Sequence, residues 1–563
     1  MIKQYSWFLF AILIYFSCAS QKAPSGGPED KTPPEIIKTT PISGAVQVSE
    51  NSQIIFEYSE KIDRDSFLDA IFISPDPGDV EIKQKRKRTI LSIKKPLLPQ
   101  RTYVVTLGTS LQDEHNVKLD KSFTFAFSTG DSIDQGQMSG RVFDTKSQGI
   151  LIWAYILSDS VYPDPAKRAG DYATQVGTDG RFTIPFMADG EYRIFAVEDA
   201  GKTGIYNPME DRIAVADRDI KIDATTKSVK NLAFRMLRQD TLSPAISTAG
   251  MQNKNTIEIR FSEAISATDT NWTALFTVTD TVSNKSIQIL QAEPYPLDRR
   301  RFDIITQDFL SIKNLRAAVP AATDTSGNLI DPEYAFYDFS SSVNPDTVAP
   351  RIVNFEPADK SRNVQLNIPI KLIFNEWMRI DSIGSAISLS DTFGNFISGP
   401  GQWENPFTYI YYPDTLLNSK TLWNVNINKD LFFDRAGNSL FDTVETRTFT
   451  TINVDTLSSI AGILQDQRKQ ADSSLAYILS AEQIDKNALV YKTMTRNKSK
   501  YLFESMLPGS YLIKGFIDKN GDGRYTFGSP VPFIPAEFYF QYPDTIKIRS
   551  KWPNEGEDII ITD

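Results

Sequence analysis

One pattern, written three times, constrains the fold of this chain more than any other feature. The segments "DKTPPEI" from Asp30, "DTLSPAI" from Asp240 and "DTVAPRI" from Asp346 each place an aspartate four residues before a proline: Pro34, Pro244 and Pro350. Each leads to an alternating stretch, "IIFEYSEKI", "IEIRFSEAI" or "IKLIFNEWM", in which an aromatic and a small polar residue precede a glutamate: Glu60, Glu263 and Glu376. Pro34 and Glu60 stand 26 positions apart, as do Pro350 and Glu376, whereas the middle copy spans 19. Ile54, Phe56 and Tyr58 alternate with other residues, as do Ile257, Ile259 and Phe261, and Ile370, Leu372 and Phe374. A period of two puts each set on one face of a strand, against a core. The copies close on the turns "DTSGN" at Asp324 and "DRAGN" at Asp434, and more loosely "DEHN" at Asp113. Asp, Asn and Gly suit tight reversals of the chain. Seven or so short strands in about 100 residues describe a β-sandwich.

On these motifs, over about 300 residues, the three segments resemble the bacterial Ig-like domain of surface-layer proteins and bacterial cell-surface lipoproteins. A second repeat lies between them. "SGRVFD" begins at Ser139 and "AGILQD" at Ala461, and fourteen residues beyond Gly140 and Gly462 the pentapeptide "AYILS" opens, at Ala154 and Ala476. Later, Tyr192 and Tyr511 each stand seven residues before an aspartate, Asp199 and Asp518. These segments resemble the carboxypeptidase-regulatory, transthyretin-like sandwich, a module to which no catalytic activity belongs. The expectation is an all-β, elongated chain of tandem sandwiches: Ig-like over 31–132, 240–342 and 346–453, transthyretin-like over 135–238 and 456–563. Helical periodicity is confined to short stretches near Ser66 and Ser480.

Composition narrows the chemistry. Sixty basic residues against seventy acidic ones give a net charge of −10, without a basic block, which argues against a nucleic-acid partner. A single histidine, His115, excludes zinc sites built from several histidines. It sits in "LQDEHNVKL", which reads as a polar turn, so a Ser-His-Asp triad there is disfavoured. Glu60, Glu263 and Glu376 recur once per sandwich rather than as a converging pair, and read as strand-end structural residues, not as acid and base. The sharpest candidate site is "DKNGDGRYTFGSP", where Asp518, Asn520 and Asp522, followed by Gly523, match the opening of a calcium loop. Ser529 stands where an EF-hand supplies its twelfth-position glutamate, and the aligned "DAGKTGIYNP" at Asp199 lacks the ligand oxygens. The scaffold thus requires no cofactor and admits calcium at that loop, against the plainer reading of an Asx-rich turn.

The chain begins "MIKQYSWFLFAILIYFSC", with Lys3 before an apolar run that ends at the lone cysteine, Cys18. The run from Trp7 to Phe16 is too short to span a bilayer as a helix, and reads as a secretory signal over 1–17. A cysteine there resembles a bacterial lipobox, which implies cleavage before Cys18 and lipid on its sulfur, although Tyr15 replaces the usual leucine. Residues 18–30, dense in Gly, Pro and charge, read as a disordered tether. The expected protein is a non-catalytic, lipid-anchored component of the outer membrane. It would be structural or adhesive, with a protein or glycan partner in the envelope. A carbohydrate-binding or uptake accessory is the alternative, tied to the aromatics around Trp403 and Tyr411, and an envelope hydrolase is the least favoured.

Overall fold

The computed structural model describes residues 30–144, 149–157, 162–266, 271–381, 386–441, 446–484 and 489–562. The leader, Cys18 and nearly all of the tether lie outside the described residues. Strands dominate, and apart from the two-stranded sheet of Ile265–Ser266 and Thr323–Asp324 the sheets of the described residues fall into five pairs along the sequence.

The three Ig-like segments share one sheet order. In the first, strands Ile36–Thr40, Ile54–Tyr58, Arg88–Ile93 and Val80–Lys85 lie side by side in that order. Ile246–Met251, Thr256–Phe261, Asp298–Thr306 and Ile289–Tyr295 repeat it, as do Ile352–Glu356, Ile370–Phe374, Thr408–Tyr411 and Gly401–Asn405. The facing sheets share a three-strand kernel, such as Ile71–Ser74, Thr102–Leu107 and Phe123–Ser128. The nine alternating residues expected to face inward are all buried, which satisfies the hydrophobic pattern of each strand. Of the two helical stretches, one forms: Arg64–Ala70, capped by the Asp63 carboxylate, which accepts from Ser66 N at 2.8 Å. Ser480 instead lies in strand Ala476–Gln483, whose burial alternates as a half-covered strand requires.

The remaining two sandwiches also match each other. Strands Tyr172–Gln175, Leu151–Ile156 and Gly190–Glu198 correspond to Val490–Arg496, Ala476–Gln483 and Gly509–Asp518. Gly140 and Gly462 occupy the same place, where a Cβ would come within 2.2 Å of Leu232 O or Glu557 O, so neighbouring backbone passes too close for any side chain. The shared pentapeptide does not keep register. Ala154 faces Tyr172, but the residue facing Tyr491 is Ala481 and not Ala476, five positions along the strand. Paired tyrosines mark the true equivalence. Tyr192 donates its hydroxyl to Ala188 O at 2.7 Å and Tyr511 to Leu507 O at 2.8 Å. Ala188 N donates to Tyr172 Oη, and Leu507 N to Tyr491 Oη. The rings meet edge-on at 5.9 and 5.8 Å. Tyr511→Phe leaves a carbonyl without its donor and should cost about 1–3 kcal/mol, read as a lower urea midpoint at unchanged slope.

The described residues gather into two compact units. One runs to Ile205 and takes back Arg218–Leu232; the other comprises Tyr206–Asp217 and Ala233–Asp563. In the second unit the last sandwich grips earlier chain. Arg468 lies over the Phe538 ring at 3.6 Å, pairs with Asp466 at 2.7 Å and approaches Asp217 at 3.9 Å. Arg235 is caged by the rings of Tyr525, Phe527 and Tyr539. Tyr295, Ile305, Trp377 and Phe407 form a small buried cluster shared by the second and third Ig-like sandwiches.

Candidate functional site

In each Ig-like sandwich, three backbone contacts bring three carboxylates together. First, the small polar residue before the glutamate clamps the strand after the proline. Ser59 Oγ accepts from Glu35 N at 2.9 Å, Ser262 Oγ from Ala245 N at 3.0 Å, and Asn375 Oδ1 from Arg351 N at 2.6 Å. Second, the opening aspartate accepts from the amide two residues on: Thr32, Leu242 and Val348. Third, the residue two beyond the glutamate bridges to the turn aspartate: Ile62 to Asp113, Ile265 to Asp324 and Met378 to Asp434. The strand-end hydrogen bond expected of the glutamates is thus made by their neighbours, and the glutamates face acids.

The resulting groups are Asp30, Glu60, Asp113 and His115; Asp240, Glu263 and Asp324; and Asp346, Glu376 and Asp434. Within each, one ligating atom per residue lies within 4.8 Å of the others. The turn aspartates are each 1% exposed. Burial, then the flanking aspartates, pushes Glu263 and Glu376 up to about 7, and burial with Asp113 and Asp30 raises Glu60. His115 is mostly exposed, with Nδ1 3.6 Å from Asp30 Oδ2. All three carboxylates of each group stand in the repeat motifs, and the co-occurrence of two aspartates with every glutamate is the signal available in the sequence.

The loop at Asp518 is closed on itself. Asp518 Oδ1 accepts from Gly521 N and Oδ2 from Gly523 N, Asn520 Oδ1 accepts from Asp522 N, and Asn520 Nδ2 donates to Asp522 Oδ2. Asp199 does the same in the sister sandwich, Oδ1 accepting from Thr203 N and Oδ2 from Gly204 N. Calcium at Asp518, Asn520 and Asp522 would displace several of these bonds. Of the aromatics singled out in sequence, Tyr411 is fully buried and Trp403 packs on the core against Phe374, Tyr409 and Phe432. Exposed rings lie instead at Phe393 and Phe396, 87% and 72% exposed, on a hairpin of the same sandwich.

The described residues line at least two clefts. One, of ≈ 770 Å³ in the first unit, is lined by Phe72, Ser74, Trp153, Arg168, Asp171 and Lys202 among others. The other, of ≈ 370 Å³ in the second unit, borders the third carboxylate group and includes Asn253, Asp308, Asp346, Glu376 and Arg435. Asn253 Nδ2 donates to Asp346 Oδ2 at 2.9 Å, tying that group to the preceding sandwich. No helix among the described residues is long and apolar enough to cross a membrane.

The architecture defines an all-β chain of Ig-like and related sandwiches. Residues 30–129 and 346–451 match the family described as Bacterial Ig-like domain. The middle repeat lies outside both matched segments, yet carries the same strand order and carboxylate group. No curated protein matches the chain. Similar solved structures include the N-terminal part of the bacterial S-layer protein SbsC, at 10% identity and a TM-score of 0.17, covering 38% of this chain and 45% of that one. An L,D-transpeptidase from Mycobacterium smegmatis shows 10% identity and a TM-score of 0.16, covering 38% of this chain and 90% of that one.

Proposed function

We propose that this protein is a non-catalytic, lipid-anchored component of the cell envelope that presents β-sandwich surfaces to a partner. The observation that carries the reading is the pair of bacterial Ig-like segments, the first of which begins at Asp30, just behind the lone-cysteine leader. Lipid on Cys18 would moor the chain at the outer membrane, and residues 18–30 would hold the first sandwich away from it. The second and fifth sandwiches are transthyretin-like modules in this reading, serving as spacers and partner surfaces. A single acyl chain binds membranes marginally, whereas two or three hold firmly. Cys18→Ala should move the protein from the membrane pellet to the soluble fraction of lysed cells. Retention in the pellet would contradict the anchor. Protease treatment of intact cells separates a surface-displayed chain, which is cut, from a periplasmic one, which is spared.

A glycan-binding accessory is the second reading, favoured by the exposed rings of Phe393 and Phe396 on one hairpin. Sugar faces stack on exposed aromatics, and the buried Tyr411 is unsuited to that role. Glycan-array binding that is lost in Phe393→Ala would support this reading, and an empty array would remove it. Calcium at the Asp518 loop is tested by melting the protein with and without the ion; an unchanged midpoint dismisses it.

A further inference from the structure

The three carboxylate groups differ at one atom. In "DTSGN" and "DRAGN", the asparagine four residues after the aspartate donates its side-chain amide to Oδ2: Asn328 to Asp324 at 2.8 Å, Asn438 to Asp434 at 2.7 Å. The same turn recurs in "DTFGN", away from any such group, where Asn395 donates to Asp391 Oδ2 at 2.8 Å. It is therefore a self-sufficient turn that satisfies both oxygens of its aspartate. In the first sandwich the position four beyond Asp113 is Val117, which has no side-chain donor. Asp113 Oδ1 still accepts from His115 N at 2.7 Å and Val117 N at 2.9 Å. Asp113 Oδ2 is buried with no hydrogen-bond partner among the described residues.

An anionic oxygen buried without a donor is strongly unfavourable unless a cation or proton meets it. Here it belongs to a group that also holds Asp30, Glu60 and His115. We infer that Asp30, Glu60 and Asp113 form a binding site for a hard divalent cation of calcium size, with the unpaired Asp113 Oδ2 as its innermost ligand. Calcium takes oxygen ligands at about 2.3–2.6 Å, so ligands on opposite sides of the ion stand roughly 4.8 Å apart. The span of the group fits that sphere, with water completing the coordination. His115, exposed at the rim, adds a nitrogen that calcium does not need. The ion would pin Asp30, where the tether joins the first sandwich, to the buried turn at Asp113. The other two groups, whose turn oxygens already have donors, are the internal comparison.

The test is calorimetric titration of the full chain, stripped of metal, with calcium chloride. Extracellular modules of this kind bind with Kd of roughly 10⁻⁴–10⁻³ M. The expected result is a saturable isotherm that loses one equivalent in Glu60→Gln and in Asp113→Asn, and keeps it in Asp434→Asn. Asp113→Asn disturbs a turn, but Glu60 accepts no more than a long hydrogen bond from Ser59 Oγ, 3.4 Å, among the described residues, so Glu60→Gln is expected to fold. The same number of equivalents in wild type and both variants, including none, would overturn the site. It would leave a proton shared by Glu60 and Asp113 as what meets the buried oxygen.

Discussion

Arg468→Met should lower the stability of the C-terminal sandwich by about 3–5 kcal/mol, the usual cost of stranding one partner of a buried ion pair. For a domain near 100 residues that is a fall of roughly 15–30 °C in its melting transition. The guanidinium is 5% exposed and the Asp466 carboxylate fully buried. Arg468 Nε and Nη2 both donate to that carboxylate, and Tyr477 Oη donates to it at 2.8 Å. Burial works to raise the Asp466 pKa, but the hydrogen bonds from Arg468 prevail and hold it below the usual carboxylate range. A depressed folded pKa contributes stability that is present above the unfolded value and is lost as pH falls through the folded one. Without Arg468 the sign reverses, because the stranded carboxylate is better protonated than charged. The gap between wild type and Arg468→Met should therefore be widest near pH 8 and narrow toward pH 4, as denaturation at the two pH values would show. A gap that is equal at both would mean that lost packing on Phe538, not charge, sets the cost.

Glu376→Gln should do the opposite and stabilise the third Ig-like domain at alkaline pH. Burial, then the charges of Asp346 and Asp434, pushes Glu376 up to about 7. A glutamate raised from 4.5 contributes stability that is full below its unfolded value and fades as pH rises through about 7. Removing the charge should recover up to about 3 kcal/mol at pH 8, less whatever solvent screening already relieves, and nothing near pH 4. Melts of wild type and variant from pH 5 to pH 8, in metal-free buffer, would display a shallower slope in the second than in the first. Glu263→Gln, in the equivalent place and also raised to about 7, should behave alike.

The strands and their inward faces were legible in the sequence because a half-buried strand writes its burial in alternate letters, as Ile54, Phe56 and Tyr58 do. The carboxylate groups are not legible there, although every member stands in the repeat motifs. Their aspartates carry the signature of turn residues, and only the bridge from Ile62 to Asp113 places one beside Glu60. The pentapeptide shared by Ala154 and Ala476 misled for a related reason. Either residue can sit in a strand, and register is set by the long-range partners Tyr172 and Tyr491. The contribution of Val117 is subtler still, since what matters there is an amide that the other turns possess and this one lacks.

The grip of the last sandwich on residues 206–217 and on Arg235 has a consequence for biogenesis. A polypeptide threaded across a membrane from its N-terminus would deliver Asp217 some 250 residues ahead of its counterpart Arg468. During that interval the stretch has no C-terminal sandwich to rest on, and closing so long a loop is slow. Maturation of the second unit is therefore completed only once the final strands emerge. A nascent chain stalled before residue 456 should offer trypsin a cleavage at Arg235 that the finished protein closes.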